Sequence, residues 1–161
     1  MAEIEYLTTD QRGLDSIAFL WEKLKEHQRV RSPYSAGRYS RMTWDFRKNV
    51  LLDKAQNGHI RLDIAKDSVT GQFVGYCISS ITDKKAGEIE SIFIERAYRR
   101  HNIGDAFMTG ALKWMDTIGT VSRVIGVAVG NEEVFPFYAR YGFVPGVYIL
   151  RPAEKESILP S

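Results

Sequence analysis

A layered α/β (α+β) domain, a mixed sheet with helices on its faces, is the fold class this sequence predicts, and three observations predict it. The 161 residues are 44% hydrophobic and 26% charged, the balance of a chain that folds around a core. Residues 1–161 therefore read as a single domain, with no repeat, low-complexity tract or linker to divide them. Along the chain the apolar spacing switches several times between the helical period and the strand period. The resulting order is β α α β β β α β α β, and mixed runs of this kind build a sheet covered by helices.

"EIEYL" reads as the first strand. Asp10 is a cap for a helix from about Gln11, in which Leu14, Ile17, Ala18, Trp21 and Leu24 recur on one face until about 27–31. "RVRSPYSAGRYSR" is broken by Pro33, Gly37 and its serines, and so reads as a loop. Trp44, Phe46, Val50 and Leu51 suggest a second helix over 43–54, whose spacing favours the core for Trp44 and Phe46 over the lining of a pocket. Residues 60–66 alternate with period two, "TG" turns, and 72–81 form a longer apolar run, which together describe an antiparallel hairpin. "GEIESIFI" adds a third strand to this meander. Phe107, Ala111, Leu112, Trp114, Met115 and Ile118 make residues 103–118 a helix, followed by the buried-type strand "RVIGVAV". "EEVFPFYARYGF" is a short helix with Pro136 in its first turns, and "FVPGVYIL" supplies the last strand.

Composition excludes several classes of function. A net charge of +2 is too weak a bias to argue for nucleic acid without a concentrated patch. The one cysteine, Cys77, rules out an intrachain disulfide framework and reads as a core strand residue, so a reducing, cytoplasmic compartment is expected. His27, His59 and His101 lack metal-ligand spacing, and no metal is expected. The start, "MAEIEYLTTD", lacks a leader pattern, and no run approaches the roughly 20 apolar residues of a membrane span.

The segment "YRRHNIGDAFM" joins the strand that ends at Ile94 to the helix that starts near Gly104. A helix N-terminus offers unpaired N–H groups and the positive end of the macrodipole, so a short approach carrying Arg99, Arg100 and His101 is a candidate phosphate site. Asn102 is among the few residues other than glycine that take positive φ readily. A basic turn before a helix is also common solvated surface, and the rest of the chain must decide.

"SIFIERAYRRHNIGDAFM" resembles the acetyl-CoA-binding segment of the GCN5-related N-acetyltransferase (GNAT) family, a strand, an Arg/Gln-x-x-Gly-x-Gly/Ala loop and a helix. Here the loop is Arg99, Arg100, His101, Asn102, Ile103 and Gly104, departing from the pattern at Asn102, where glycine is expected. "VAVGNEEVFPFYARYGFVP" is similar to the family's second motif, with Asn131, Tyr138, Gly142 and Phe143 on its marked positions. Two motifs in the right order and on the expected elements make a specific signal. The resemblance covers about the C-terminal two thirds. It implies a mixed, mostly antiparallel sheet of about six to seven strands, and acetyl-CoA as co-substrate for direct attack by a primary amine.

The family's residues carry over position by position. Backbone N–H groups of Arg99 to Gly104, extended to Asp105 and Ala106, would hold the pyrophosphate, with Asp105 turned away. Backbone groups of Ile92, Phe93 and Ile94, where strands of the family splay, and the Asn131 amide would hold the pantetheine arm. Tyr138 would be the acid that protonates the departing thiolate, with Tyr141 as its rival. Two-residue alternation puts Glu88 and Glu90 on one face of the strand, where either could activate a water, while a water chain alone is the other way to remove the amine's proton.

The acceptor, an amine on a small molecule, peptide or protein, would meet "HQRVRSPYSAGRYSR" and "PGVYIL". Arg29, Arg31, Arg38 and Arg41 there suit an anionic acceptor, but a solvated loop explains them as well. A homodimer is left open, and no membrane partner is expected. The alternatives are a non-catalytic acyl-CoA-binding module and, last, a nucleic-acid binder stacking bases on Tyr34 and Tyr39.

Overall fold

The computed structural model describes residues 2–153. Its order is β1 (Ile4–Thr9), a 3₁₀ turn (Gln11–Ile17), α1 (Ala18–Arg31), α2 (Ala36–Arg41), α3 (Trp44–Asn57), β2 (His59–Asp67), β3 (Phe73–Ile81) and β4 (Ala86–Ile94). Then follow α4 (Ile103–Ile118), β5 (Ser122–Ile125) and α5 (Phe135–Ala139). The strands form one sheet in the order β1-β2-β3-β4-β5, antiparallel except for the parallel β4–β5 pair. This is the expected mixed, mostly antiparallel sheet, with five strands among the described residues where six to seven are expected.

The sheet has a core on each face. Leu14, Ile17, Leu20, Trp21 and Leu51 pack against Leu62, Tyr76 and Phe93 on one side. On the other, Ile103, Phe107, Met108, Ala111 and Met115 of α4 pack against Ala65, Cys77 and Ile89. The α4 bounds are those its apolar spacing predicts, because its buried residues recur at the helical period.

Three expectations need correction. Asp10 does cap, accepting from the Arg12 N–H at 3.0 Å, but it opens a 3₁₀ turn before α1 begins. The Ser16 hydroxyl donates to the Gly13 carbonyl at 2.6 Å, a local bond that competes with helix geometry. Part of the supposed loop is helical, as α2. Phe46 is exposed rather than core, since it lies about 140° round α3 from the buried Leu51; Trp44 does pack against the core.

The last strand is also absent: "FVPGVYIL" adopts no regular structure and pairs with no strand among the described residues. The segment runs off α5, and Arg151 at its far end lies close enough to α2 to act electrostatically on Tyr39. β5 is likewise shorter than "RVIGVAV", because residues 126–129 leave the sheet.

The departure of β5 has a local cause in β4. The register with β3 passes from Ile78↔Ser91 to Ser79↔Ile89, so Glu90 is an extra residue, a β-bulge. Bulges bend a strand and shift which face its side chains take. Ile89 lies in the α4-side core and Phe93, four residues on, in the opposite one. Pairing with β5 stops at Ile89↔Ile125, the residue before the bulge. Beyond it, the β4 edge opposite β3 has no strand beside it among the described residues.

Candidate active site

The two strands open into a wedge, and its walls carry most of the residues singled out above. A cleft of about 580 Å³ is lined by Ile92, Phe93 and Ile94 of β4, by Arg99, Arg100, Asn102, Gly104 and Asp105, and by Asn131 and Tyr138. Deeper in the wedge a pocket of about 60 Å³ is lined by Glu90, Ser91, Gln28 and residues 125–128, again with Asn131 and Tyr138. Asn131 and Tyr138 thus stand where the two spaces meet. Glu88, His101, Ile103 and Ala106 line neither.

The loop before α4 is built to leave donors free. Asn102 takes φ 60° and ψ 19°, left-handed backbone in the place of the family's glycine, and Arg100 has φ 71°. Asn102 is the N-cap of α4 without a capping side-chain bond, and among the described residues the N–H groups of residues 100–105 have no partner. Several donors at a helix N-terminus with no internal partner are what an anion needs. The Ala106 N–H is already donated to the Asn102 carbonyl at 3.0 Å, so it has nothing to offer a ligand. Ile103 is buried under the loop, and the His101 ring sits against the Tyr98 carbonyl at 3.0 Å, away from the cleft. Gly104 allows close approach of the short helix: a Cβ there would lie 3.0 Å from the Phe137 ring.

Asn102→Gly should leave folding and anion binding nearly unchanged, since glycine tolerates the same φ. Asn102→Val forces a β-branched residue into left-handed backbone and should cost about 1–3 kcal/mol of stability. Thermal unfolding and titration with CoA read both; equal behaviour of the two variants would contradict the conformational argument.

Asp105 is on the cleft wall with its carboxylate engaged elsewhere. It accepts from the Tyr141 hydroxyl and pairs with Arg140 Nη2 at 2.9 Å. The Tyr141 bond, then Arg140, holds its carboxyl below the usual range. Arg140 also lies 5.8 Å from the centroids of Phe137 and Tyr141, so it faces the cleft in a fixed position beside Arg99 and Arg100. Sequence reasoning missed Arg140, because only the fold brings it to Asp105.

Tyr138 is 7% exposed, with no hydrogen-bond partner for its hydroxyl among the described residues. Burial raises its pKa far above that of a free phenol, so it stays protonated. Tyr141, the rival, is tied to Asp105 and lines neither space. Asn131 Oδ1 is buried and unpaired, an orphaned acceptor in the wedge. Asn131 is held in place by Gly130, whose φ is 100° and whose position a Cβ would bring within 2.1 Å of the Arg31 carbonyl. Glu133 adds a bridge to Arg31 at 2.8 Å.

Glu88 and Glu90 do share a face, towards α3. Lys54 Nζ donates to Glu88 at 3.1 Å and to Glu90, while Ser80 Oγ (2.7 Å) and Arg47 Nη2 (3.0 Å) also donate to Glu90. The Glu90 side chain is only 2% exposed. Burial opposes its ionisation, but Lys54, Ser80 and Arg47 outweigh that and hold its pKa below 4.5. The bulge places Glu90 at the pocket and leaves Glu88 outside it, a distinction that alternation alone does not contain.

A depressed folded pKa contributes stability that is present above the unfolded value and is lost as pH falls through the folded one. Glu90→Gln should therefore flatten the loss of stability as the pH falls into and below the ordinary carboxylate range. Urea unfolding across that range checks it, and an unchanged slope would contradict the assignment.

Among the described residues, no group of three or more His, Cys, Asp or Glu is arranged to hold a metal. No described helix is long and apolar enough to cross a membrane. Cys77 is fully buried and its thiol is pushed up to about 12 by that burial. It is a packed strand residue without nucleophilic character.

A strand that opens at a bulge, a helix N-terminus with free donors and a buried tyrosine at their junction meet around one cleft. The model of the Acetyltransferase (GNAT) family matches residues 7–143, and the chain belongs to that family. The function class this gives is acetyl-CoA-dependent N-acetylation.

Solved structures agree in fold. The chain is similar to a GCN5-related N-acetyltransferase from Ralstonia eutropha JMP134 (TM-score 0.71, 17% identity, 93% of this chain and 98% of that one). It is also similar to the aminoglycoside N-acetyltransferase AAC(6')-Iy in complex with CoA (0.67, 13%, 96% and 97%). A third is the ribosomal-protein-alanine N-acetyltransferase from Brucella melitensis biovar Abortus 2308 (0.64, 15%, 92% and 99%). A comparison with curated proteins finds no match.

Proposed function

We propose that this chain transfers the acetyl group of acetyl-CoA to a primary amine, carried by a small molecule, a peptide or a protein, by direct attack. The observation that carries this reading is Tyr138, protonated and unpaired at the junction of the cleft and the inner pocket. The residues present fit acetyl-CoA. Free N–H groups over 100–105 suit a pyrophosphate, the unpaired edge of 90–94 suits amides laid along it as an added strand, and the orphaned Asn131 Oδ1 needs a donor.

When bound, acetyl-CoA supplies an activated thioester carbonyl. Arg99, Arg100 and Arg140 add charge around the loop that holds the phosphates, with Asp105 turned to Tyr141. The attacking amine must be neutral, and the inner pocket gives its proton a water-sized path towards Glu90. With its low pKa Glu90 is a weak base, so its part is to orient that water, and Glu88 has none. Tyr138 then donates its proton to the departing thiolate.

The test is turnover. Mixed with acetyl-CoA and a panel of primary amines, the chain should release CoA thiol over many cycles with at least one of them. Tight acetyl-CoA binding without release on any amine would instead support a binding module.

A further inference from the structure

The loop from Arg99 to Gly104 has to be held by something other than itself. Arg100 and Asn102 stand at φ 71° and 60°, left-handed backbone that residues with side chains keep only where the surroundings impose it. The N–H groups of residues 100–105 pair with nothing among the described residues, so no backbone ladder fixes the loop. Two of its side chains brace it locally: Arg99 Nε donates to the Ile94 carbonyl at 3.1 Å, and His101 Nδ1 to the Tyr98 carbonyl at 3.0 Å. Both bonds stay inside the connection 94–102.

Among the described residues, one side chain of 96–102 hydrogen-bonds outside that connection. The Tyr98 hydroxyl donates to Asp67 Oδ2 at 2.6 Å, a short bond to a charged acceptor. Asp67, the last residue of β2, is 4% exposed and is itself fixed from several sides. Its Oδ1 accepts from the N–H groups of Val69 (2.9 Å) and Thr70 (3.3 Å), its N–H donates to the Gln72 carbonyl at 2.9 Å, and its carbonyl accepts from the Gly71 N–H at 2.7 Å. The two carboxylate oxygens therefore do different work: Oδ1 closes the β2–β3 turn, and Oδ2 reaches across to the loop. The Tyr98 bond holds the Asp67 carboxyl below its usual range, so the acceptor is charged at neutral pH.

We propose that Asp67 and Tyr98 are positioning residues for the anion seat, a strut from the β2–β3 turn that keeps the free N–H groups of the loop at the cleft wall. The inference rests on the acetyl-CoA reading, since the seat is the one assigned there to the pyrophosphate. Neither residue lines the cleft, so both act through the backbone of the loop. A ligand that meets a loop already in its binding conformation loses no affinity to selecting that conformation.

Calorimetry with CoA on the full chain, with steady-state kinetics beside it, tests the strut. Tyr98→Phe keeps the ring and removes the bond, and should bind CoA about tenfold more weakly, as for a loop that is competent about a tenth of the time. Its turnover at saturating acetyl-CoA should stay within about twofold of wild type, so that the loss falls on KM. Asp67→Asn can still close the turn with Oδ1 and donate from Nδ2 to the Tyr98 hydroxyl, and should bind CoA within about threefold of wild type. A residue that only stabilised the fold would lower the melting temperature and leave the affinity of the folded protein unchanged. Tyr98→Phe with wild-type CoA affinity would overturn the proposal and leave the acetyl-CoA reading standing, and so would Asp67→Asn that binds as weakly as Tyr98→Phe. A wild type that binds no CoA would overturn both.

Discussion

Tyr138→Phe should lower turnover about a hundredfold, the lower end of what a positioned general acid contributes, while acetyl-CoA affinity changes by less than about twofold. The hydroxyl has no partner among the described residues, so its removal breaks no internal bond, and the ring that packs between Phe137 and the α4-side core remains. Because burial raises the phenol well above its usual value, the wild type should show no loss of activity from Tyr138 ionisation near about pH 10. Steady-state kinetics with CoA release settle both. Unchanged turnover in the variant would remove the acid assignment, and a large fall in affinity alone would make Tyr138 a binding residue.

Gly130→Ala should be the most damaging single substitution in the site outside Tyr138. The backbone is at φ 100°, and the added Cβ would meet the Arg31 carbonyl at 2.1 Å, a contact that only backbone movement relieves. Strain and displacement together should cost about 3 kcal/mol or more. The consequence for binding follows from chain order: Asn131 is the next residue, and its buried Oδ1 would move with it. Thermal unfolding should show the loss of stability, and calorimetry on the protein that remains folded should show weaker acetyl-CoA binding. A variant as stable as the wild type would mean that the α1–Gly130 contact does not position the wedge.

Much of this arrangement was readable in the residues, and what was not has physical reasons. The helix Ile103–Ile118 was legible because five of its buried side chains repeat at one period, and the hairpin because alternation and a Thr-Gly turn coincide. The loop from Arg99 to Gly104 was legible from its chemistry, and Asn102 takes the positive φ that the missing glycine calls for. The bulge at Glu90 was not, since an extra residue in a strand is defined by the partner strand and leaves no mark in "EIESIFI". For the same reason the roles of Lys54, Arg47 and Ser80 around Glu90, and of Arg140 beside Asp105, come only from the fold. "FVPGVYIL" has the composition of a strand, but composition does not say which edge it pairs with, and among the described residues it pairs with none.

The proposed seat for acetyl-CoA combines the opened β4 edge with the loop before α4. Amide hydrogen exchange with and without acetyl-CoA measures it directly. Slower exchange at residues 90–94, 100–105 and 131, with β1 and β2 unchanged, is the predicted result. Acetyl-CoA binding that protects other segments and leaves these three as they were would contradict it.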